Sequence, residues 1–433
     1  MPESTHILVY IGLLFLASQI AGRVAGLIRV PRVVGYLIVG ILLGPSLFGL
    51  LDEELVQHRL VLITDIALAI IAFSIGGSLQ IKEIKRLGRS IFGITIAQAL
   101  GAVICVCLAL LAYGELNGLK NADGNSNLFL PMVLIVASVS AATAPAAVMG
   151  IVHEYRARGP LTTFLLGVVA LDDALTIVLY AFAMTAAQTL IGLSAEFSWY
   201  DAILGPLQEI VIAISLGGIS GFLLRFATRW FTQRTSLLAF AVGVILLTSG
   251  CATTMHSSPL LANMVLGFVV ANFVAHSEDI FHRIEGVDEP IFGLFFALAG
   301  AHLDVSLLFV AGGLALLITL SRFGGKLIGT QFTARIFRAP KSVRRYLGIS
   351  LLPQAGVTIG LILHARGQLA GGIENNSNAS QELAMIDFFV NAVLASVVIN
   401  ELLTPFLLRS ALVRAGEVRN NHPNLQGRYD EFA

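Results

Sequence analysis

Charge is scarce in this sequence. Asp, Glu, Lys and Arg make up 12% of its 433 residues, where a soluble domain carries roughly 25%. A chain that is also 56% hydrophobic, with a mean hydropathy of +0.84, has too few polar groups to cover a water-facing surface. Its length would suit about three soluble domains. Divided into apolar stretches of about 20 residues, the thickness of a bilayer's hydrocarbon core, it makes a polytopic membrane protein instead. An excess of basic residues is missing too: Lys and Arg number 27, as do Asp and Glu, which argues against a nucleic-acid partner. Cysteine is nearly absent. Cys105, Cys107 and Cys251 lie in apolar runs, with a spacing that makes neither a disulfide framework nor a zinc site. No cofactor is expected. The opening MPESTH lacks the basic region of a secretory signal, so residues 5–25 are expected to stay as a first span.

What is present is a succession of apolar runs bounded by Gly, Pro or charge. They predict an all-α integral membrane fold of about 13 transmembrane helices. The expected limits are 5–22, 31–50, 60–78, 91–113, 128–150, 161–187, 202–225, 236–254, 258–276, 288–303, 306–331, 345–366 and 384–411. Basic residues collect in alternate loops, from Arg23, Arg29 and Arg32 through Lys82–Arg89, Arg156 and Arg158 to Lys341–Arg345 and the C-terminal arginines. The opposite loops hold only Arg59, Lys120 and Arg366. Basic loops mark the cytoplasmic side, which puts the N-terminus outside and the C-terminus inside. The tail after about residue 412 is short and polar, so a nucleotide-binding regulatory domain is not expected in this chain. The stretch 276–289 combines His276 and His282 with five acidic residues; it reads as a pH-sensing element or as a solvated turn.

A charge inside a bilayer costs at least a few kcal/mol, so every ionisable residue within a span is a functional candidate. Asp172 and Asp173 lie in the middle of LLGVVALDDALTIVLYAF. Neighbours on a helix point about 100° apart. One carboxylate can therefore face a cavity while the other faces a helix, and adjacent carboxylates need a proton, a cation or a base for compensation. Arg322 and Lys326, in ITLSRFGGKLIGTQF, are spaced to share one helix face. A desolvated lysine can release its proton whereas arginine effectively cannot. Lys326 is thus the switchable partner, and Arg322 is expected in a structural ion pair with Glu401 or Asp65.

Two spans carry breakers in their middles. Span 5 reads VASVSAATAPAAVMG, with Pro145, and span 12 reads YLGISLLPQAGVTIGLIL, with Pro353, Gly356 and Gly360. Proline removes a backbone donor and clashes with the preceding turn. Irregular backbone at membrane depth is tolerated where it lines a cavity or is packed in protein. Broken helices at matching positions, fifth in each set of six, point to an ion site between two inverted repeats. Gly40/Gly44 and Gly325/Gly329 are spaced for close helix packing.

These residues resemble the monovalent cation:proton antiporter superfamily, in its bacterial NapA-like and Kef-like branch. The resemblance rests on VPRVVGYLIVGILLGPSLFGLL at 30–51, TAPAAV at 143–148, LDDAL at 171–175, EPIFGLFFALAG at 289–300, the Gly325-Lys326 helix and LLPQAG at 351–356. It implies a NapA/NhaA-like fold with crossing broken helices. Scaffold or dimerisation helices would occupy 1–90 and 231–304, core helices 91–190 and 305–412, a linker helix 191–230 and a cytoplasmic tail 413–433. Asp173 would bind the proton and the Na+ or Li+ ion, Asp172 would form the coupling salt bridge with Lys326, and Thr143 and Ser140 would assist. An Asp-Asp pair implies electrogenic exchange. Many relatives place an acidic residue in the second break, where this chain has Gln354.

The resulting expectation is a secondary antiporter, not an enzyme, working by an elevator motion. It would be a homodimer in a cell inner membrane with monovalent cations, protons and lipids as partners. A K+/H+ exchanger of the Kef type is the alternative within the class, and a receptor or channel the alternative outside it. His153-Glu154 begins a zinc-type HExxH, but Ala157 stands where the second histidine would be and no G-x-S-x-G elbow occurs.

Overall fold

The computed structural model describes residues 6–28, 30–52, 54–117, 128–191, 198–227, 234–274, 277–303, 307–354, 356–373 and 379–418. All regular structure among them is helical. The α-helices are α1 (Ile7–Leu27), α2 (Arg32–Leu43), α3 (Val61–Gly77), α4 (Ile81–Leu116), α5 (Phe129–Val139), α6 (Pro145–Glu154), α7 (Pro160–Ile191), α8 (Gly205–Ala227), α9 (Arg234–Thr254), α10 (Pro259–Phe273), α11 (Ser277–Ala301), α12 (Leu307–Ile336), α13 (Lys341–Ser350), α14 (Gly356–Ile373) and α15 (Ala379–Arg414). Seven of these contain a stretch long and apolar enough to cross a bilayer. The protein is a multi-pass membrane protein.

The two proline-bearing spans are each broken. α5 stops at Val139 and α6 starts at Pro145, where the missing N–H costs nothing because a first-turn amide has no partner in its own helix. α13 stops at Ser350 and α14 starts at Gly356. One expectation needs correction. The stretch 276–289 is not a turn: α11 begins at Ser277 and runs through Pro290, as acidic residues favour the positive end of a helix dipole. His276 lies outside the described residues, as does the side chain of His282.

Helices α4–α7 and α12–α15 pack chiefly on one another, and α1–α3 pack with α8–α11. The tightest pairing, α4 with α12, depends on glycine. A Cβ on Gly101 or Gly325 would strike the carbonyl of the other, and one on Gly329 would strike the carbonyl of Ala97. The two backbones can approach this closely only because those side chains are missing. That approach brings the backbone of Gln98 on α4 against Gly329 of α12.

Candidate functional site

The two breaks meet. The Ala144 amide donates to the Pro353 carbonyl at 2.9 Å, and the Thr143 hydroxyl lies 3.4 Å from the Leu351 carbonyl. At this point α5 and α13 both end, and a helix C-terminus leaves unpaired carbonyls and the negative end of its dipole. In hydrocarbon those carbonyls would each cost several kcal/mol. α12 supplies the remedy. Arg322, with no exposed surface, donates through Nε to Ser140 O at 2.8 Å, through Nη1 to Leu352 O at 2.7 Å and through Nη2 to Ala142 O at 2.5 Å. Longer contacts reach the carbonyls of Leu351 and Pro353 at 3.4 and 3.5 Å.

The expected ion pair of Arg322 with Glu401 or Asp65 is therefore not formed. Five carbonyl oxygens surround the guanidinium instead, because the broken ends offer acceptors that their own helices leave unpaired. Glu401 is 4% exposed and its Oε1 has no partner. In the second break, Gln354 accepts at Oε1 from Asn400 Nδ2 at 2.8 Å, while its own amide nitrogen is unpaired.

One turn further along α12, Lys326 is equally buried. Its ammonium donates to Ala141 O at 2.7 Å and to Thr143 Oγ1 at 2.5 Å, and it stands 3.5 Å from Asp172 Oδ2. The residue pattern singled out Arg322, Lys326 and Asp172, the family resemblance added Thr143, and the structure brings all four together. Ser140 joins through its carbonyl, since its hydroxyl bonds back to Val136 O at 2.7 Å.

Asp173 differs from its neighbour. It is 6% exposed, yet neither carboxylate oxygen has a hydrogen-bond partner, and the Thr176 hydroxyl, one turn along on the same face of α7, has none either. A carboxylate cannot persist in an apolar interior without compensation. Asp173 is thus poised to take a proton or a small cation, and α12 balances the cluster formally with two positive side chains against two negative ones from α7.

Sequence reasoning missed Gln98. It is fully buried on α4, and its Nε2 donates to Asp172 Oδ1 at 2.5 Å. The available signal was one long amide side chain in the apolar run IFGITIAQALGAVICV, a polar group that must find a partner at that depth.

The family profile described as "Sodium/hydrogen exchanger, transmembrane" matches residues 12–410. The chain belongs to the sodium/hydrogen exchanger family. The chain is 24% identical over 406 residues to the Na(+)/H(+)-K(+) antiporter GerN of Bacillus cereus, covering 92% of this chain and 94% of that one. It is 24% identical over 376 residues to the Na(+)/H(+) antiporter NhaS4 of Synechocystis, covering 83% and 88%. The fold of the chain matches a solved structure of the sodium proton antiporter MjNhaP1 from Methanocaldococcus jannaschii, with a TM-score of 0.73 at 16% identity, covering 95% and 98%. A second structure of that antiporter, at pH 8, gives 0.67 at 15% identity.

Proposed function

We propose that this protein is a secondary antiporter that exchanges a monovalent cation, Na+ or Li+ in preference to K+, for protons at Asp173. The observation carrying this reading is a carboxylate with no partner on either oxygen, buried within a span beside a satisfied Asp172–Lys326 pair. A proton and a cation compete for the same oxygens, so each leaves when the other arrives. Hard oxygen donors suit small alkali cations, with Thr143 and the carbonyls of the first break assisting. If cation entry also releases Asp172 from Lys326, a second proton departs and each cycle moves net charge. Every such charge is worth about 2.3 kcal/mol per 100 mV.

Alternating access would come from an elevator motion of α4–α7 and α12–α15 as the moving core. Their packing chiefly on one another supports that division. The remaining helices would form the dimerisation scaffold, α8 linking the two. In this reading each broken pair serves as one span, and the fold would comprise 13 spans in two inverted repeats with crossing breaks. The distribution of basic residues supports a cell inner-membrane protein with its N-terminus outside and its C-terminus in the cytoplasm.

The test is dissipation of a preset pH gradient in proteoliposomes on addition of Na+, Li+ or K+, with Asp173→Ala alongside. A response to Na+ and Li+ that the variant loses supports the reading. Exchange persisting in Asp173→Ala would overturn the site. A K+ response would favour a K+/H+ exchanger, a second reading supported by the likeness to GerN, a Na(+)/H(+)-K(+) antiporter. Flux without saturable counter-transport would point to a channel, and no response to any ion would point to a receptor.

A further inference from the structure

We propose that Gln98 is a positioning residue of the exchange reaction, holding Asp172 in its role as the fixed carboxylate so that Asp173 alone is free to exchange ions. The inference rests on the antiport reading above and concerns what makes two adjacent carboxylates unlike.

Asp172 is held at both oxygens. Oδ1 accepts from Gln98 Nε2 at 2.5 Å, and Oδ2 faces Lys326 Nζ at 3.5 Å. The lysine is the lesser of these two contacts, because its ammonium is already committed to Ala141 O at 2.7 Å and Thr143 Oγ1 at 2.5 Å. The short bond on Asp172 is the one from Gln98.

The orientation of the Gln98 amide follows from its neighbours. Besides Asp172, the amide group meets the Thr95 carbonyl at 3.2 Å. A carbonyl only accepts, and so does an ionised carboxylate, so the NH2 end must face both. Its two hydrogens are then fully used, and Oε1 is left buried without a partner. An unpaired buried acceptor is unfavourable. The bond to Asp172 offsets that cost, whereas a reversed amide would set its carbonyl against the Asp172 carboxylate and the Thr95 carbonyl. Gln98 therefore offers Asp172 a donor and no acceptor. Asp173, one residue on, receives nothing comparable.

The charged groups of the cluster are Asp172 and Asp173 on α7 with Arg322 and Lys326 on α12. The facing residues of the first break, Ser140 to Thr143, bring hydroxyls and carbonyls only. Among the described residues, no other uncharged side chain donates to either carboxylate. The close approach of α4 and α12 at Gly101, Gly325 and Gly329 places Gln98 there.

The experiment uses the full chain in proteoliposomes, with Na+-driven proton exchange measured from pH 5.5 to 9. Gln98→Glu keeps the shape but donates only while protonated, and when ionised it adds a third carboxylate. Its activity is expected to fall as pH rises, with the profile displaced to lower pH by at least one unit. Gln98→Leu removes the donor at similar volume, and a displaced profile with at least tenfold slower exchange at neutral pH is expected. A purely structural role would lower the amount of folded protein without moving the profile. Unchanged profiles in both variants would overturn the proposal, as would an unchanged Gln98→Glu profile if Gln98→Leu fails to fold. Asp173→Asn in the same assay separates the two readings, since exchange surviving there defeats the antiport site whatever Gln98 does.

Discussion

The backbone N–H of Ala144 donates to the carbonyl of Pro353 at 2.9 Å, joining two helix breaks more than 200 residues apart in sequence. One bond of this kind could not hold two helix ends in apolar surroundings. The four carbonyls left at each end need partners, and side chains of α12 supply many of them. The two buried cations therefore build the site's frame before they take part in any ion chemistry.

Removing Arg322 should accordingly be far more harmful than removing Glu401. Arg322→Gln leaves several buried carbonyls unpaired, and the expected destabilisation is about 3–5 kcal/mol. Glu401→Gln removes a carboxyl whose Oε1 has no partner, and the expected change is under about 1 kcal/mol. Thermal unfolding of the two purified variants would measure both. Equal, large losses would restore the ion pair between them that sequence spacing suggested.

Lys326→Gln tests coupling. The amide can still donate toward Ala141 O or Thr143 Oγ1, so the first break should survive, while the positive charge 3.5 Å from Asp172 is gone. Exchange should continue at a reduced rate with its response to membrane voltage weakened. The check is current on a solid-supported membrane together with the effect of an imposed potential in vesicles. An unchanged voltage response would remove Lys326 from the coupled step.

Much of this arrangement was legible because ionisable residues are so few. Asp172, Asp173 and Lys326 stand out in apolar runs, and the prolines at 145 and 353 marked both breaks. The partners of Arg322 were not legible, since backbone carbonyls at a helix end leave no trace in residue identity. A search for a carboxylate led to Glu401 and Asp65 instead. Gln98 was missed for a related reason: a neutral amide carries no charge to flag it, and its importance depends on how closely glycines let α4 approach α12. The acidic stretch before Pro290 read as a turn because its polarity masked its helical continuity with α11.

Glu154 predicts how stability depends on pH. It ends α6 beside the turn at 155–159, and its carboxylate accepts from the Arg32 amide at 2.9 and 3.0 Å, capping α2. Burial pushes the carboxyl up to about 7, against the opposing pull of the Arg32 amide and charge. A carboxyl raised in the folded state favours folding while protonated. Its contribution is fully present below the ordinary glutamate range and is lost as pH rises through about 7. The melting temperature should therefore decline between pH 5 and 8, with a ceiling of about 3 kcal/mol for this group. Glu154→Gln should flatten that decline and be the more stable protein at pH 8. A variant as pH-dependent as the parent would assign the slope to other groups.

The last prediction concerns the far end of the helix that carries the aspartates. α7 begins at Pro160, and its first amides are capped from another part of the chain. Glu417, just beyond α15, accepts from Leu161 N at 2.6 Å, Thr162 N at 2.8 Å and Thr162 Oγ1 at 2.8 Å, while its own carbonyl accepts from Arg158 N at 2.9 Å. A negative group at a helix N-terminus meets the positive end of the dipole, and here the carboxylate is buried as well. Glu417→Ala should cost about 2–3 kcal/mol, more than an ordinary cap, because the α7 amides are left without an acceptor away from water. Glu417→Gln, which keeps an acceptor but not the charge, should recover roughly half of that. Thermal unfolding of both variants would decide it. A loss under about 0.5 kcal/mol in Glu417→Ala would mean that water replaces the carboxylate and that the end of α15 does not help to hold α7 in place.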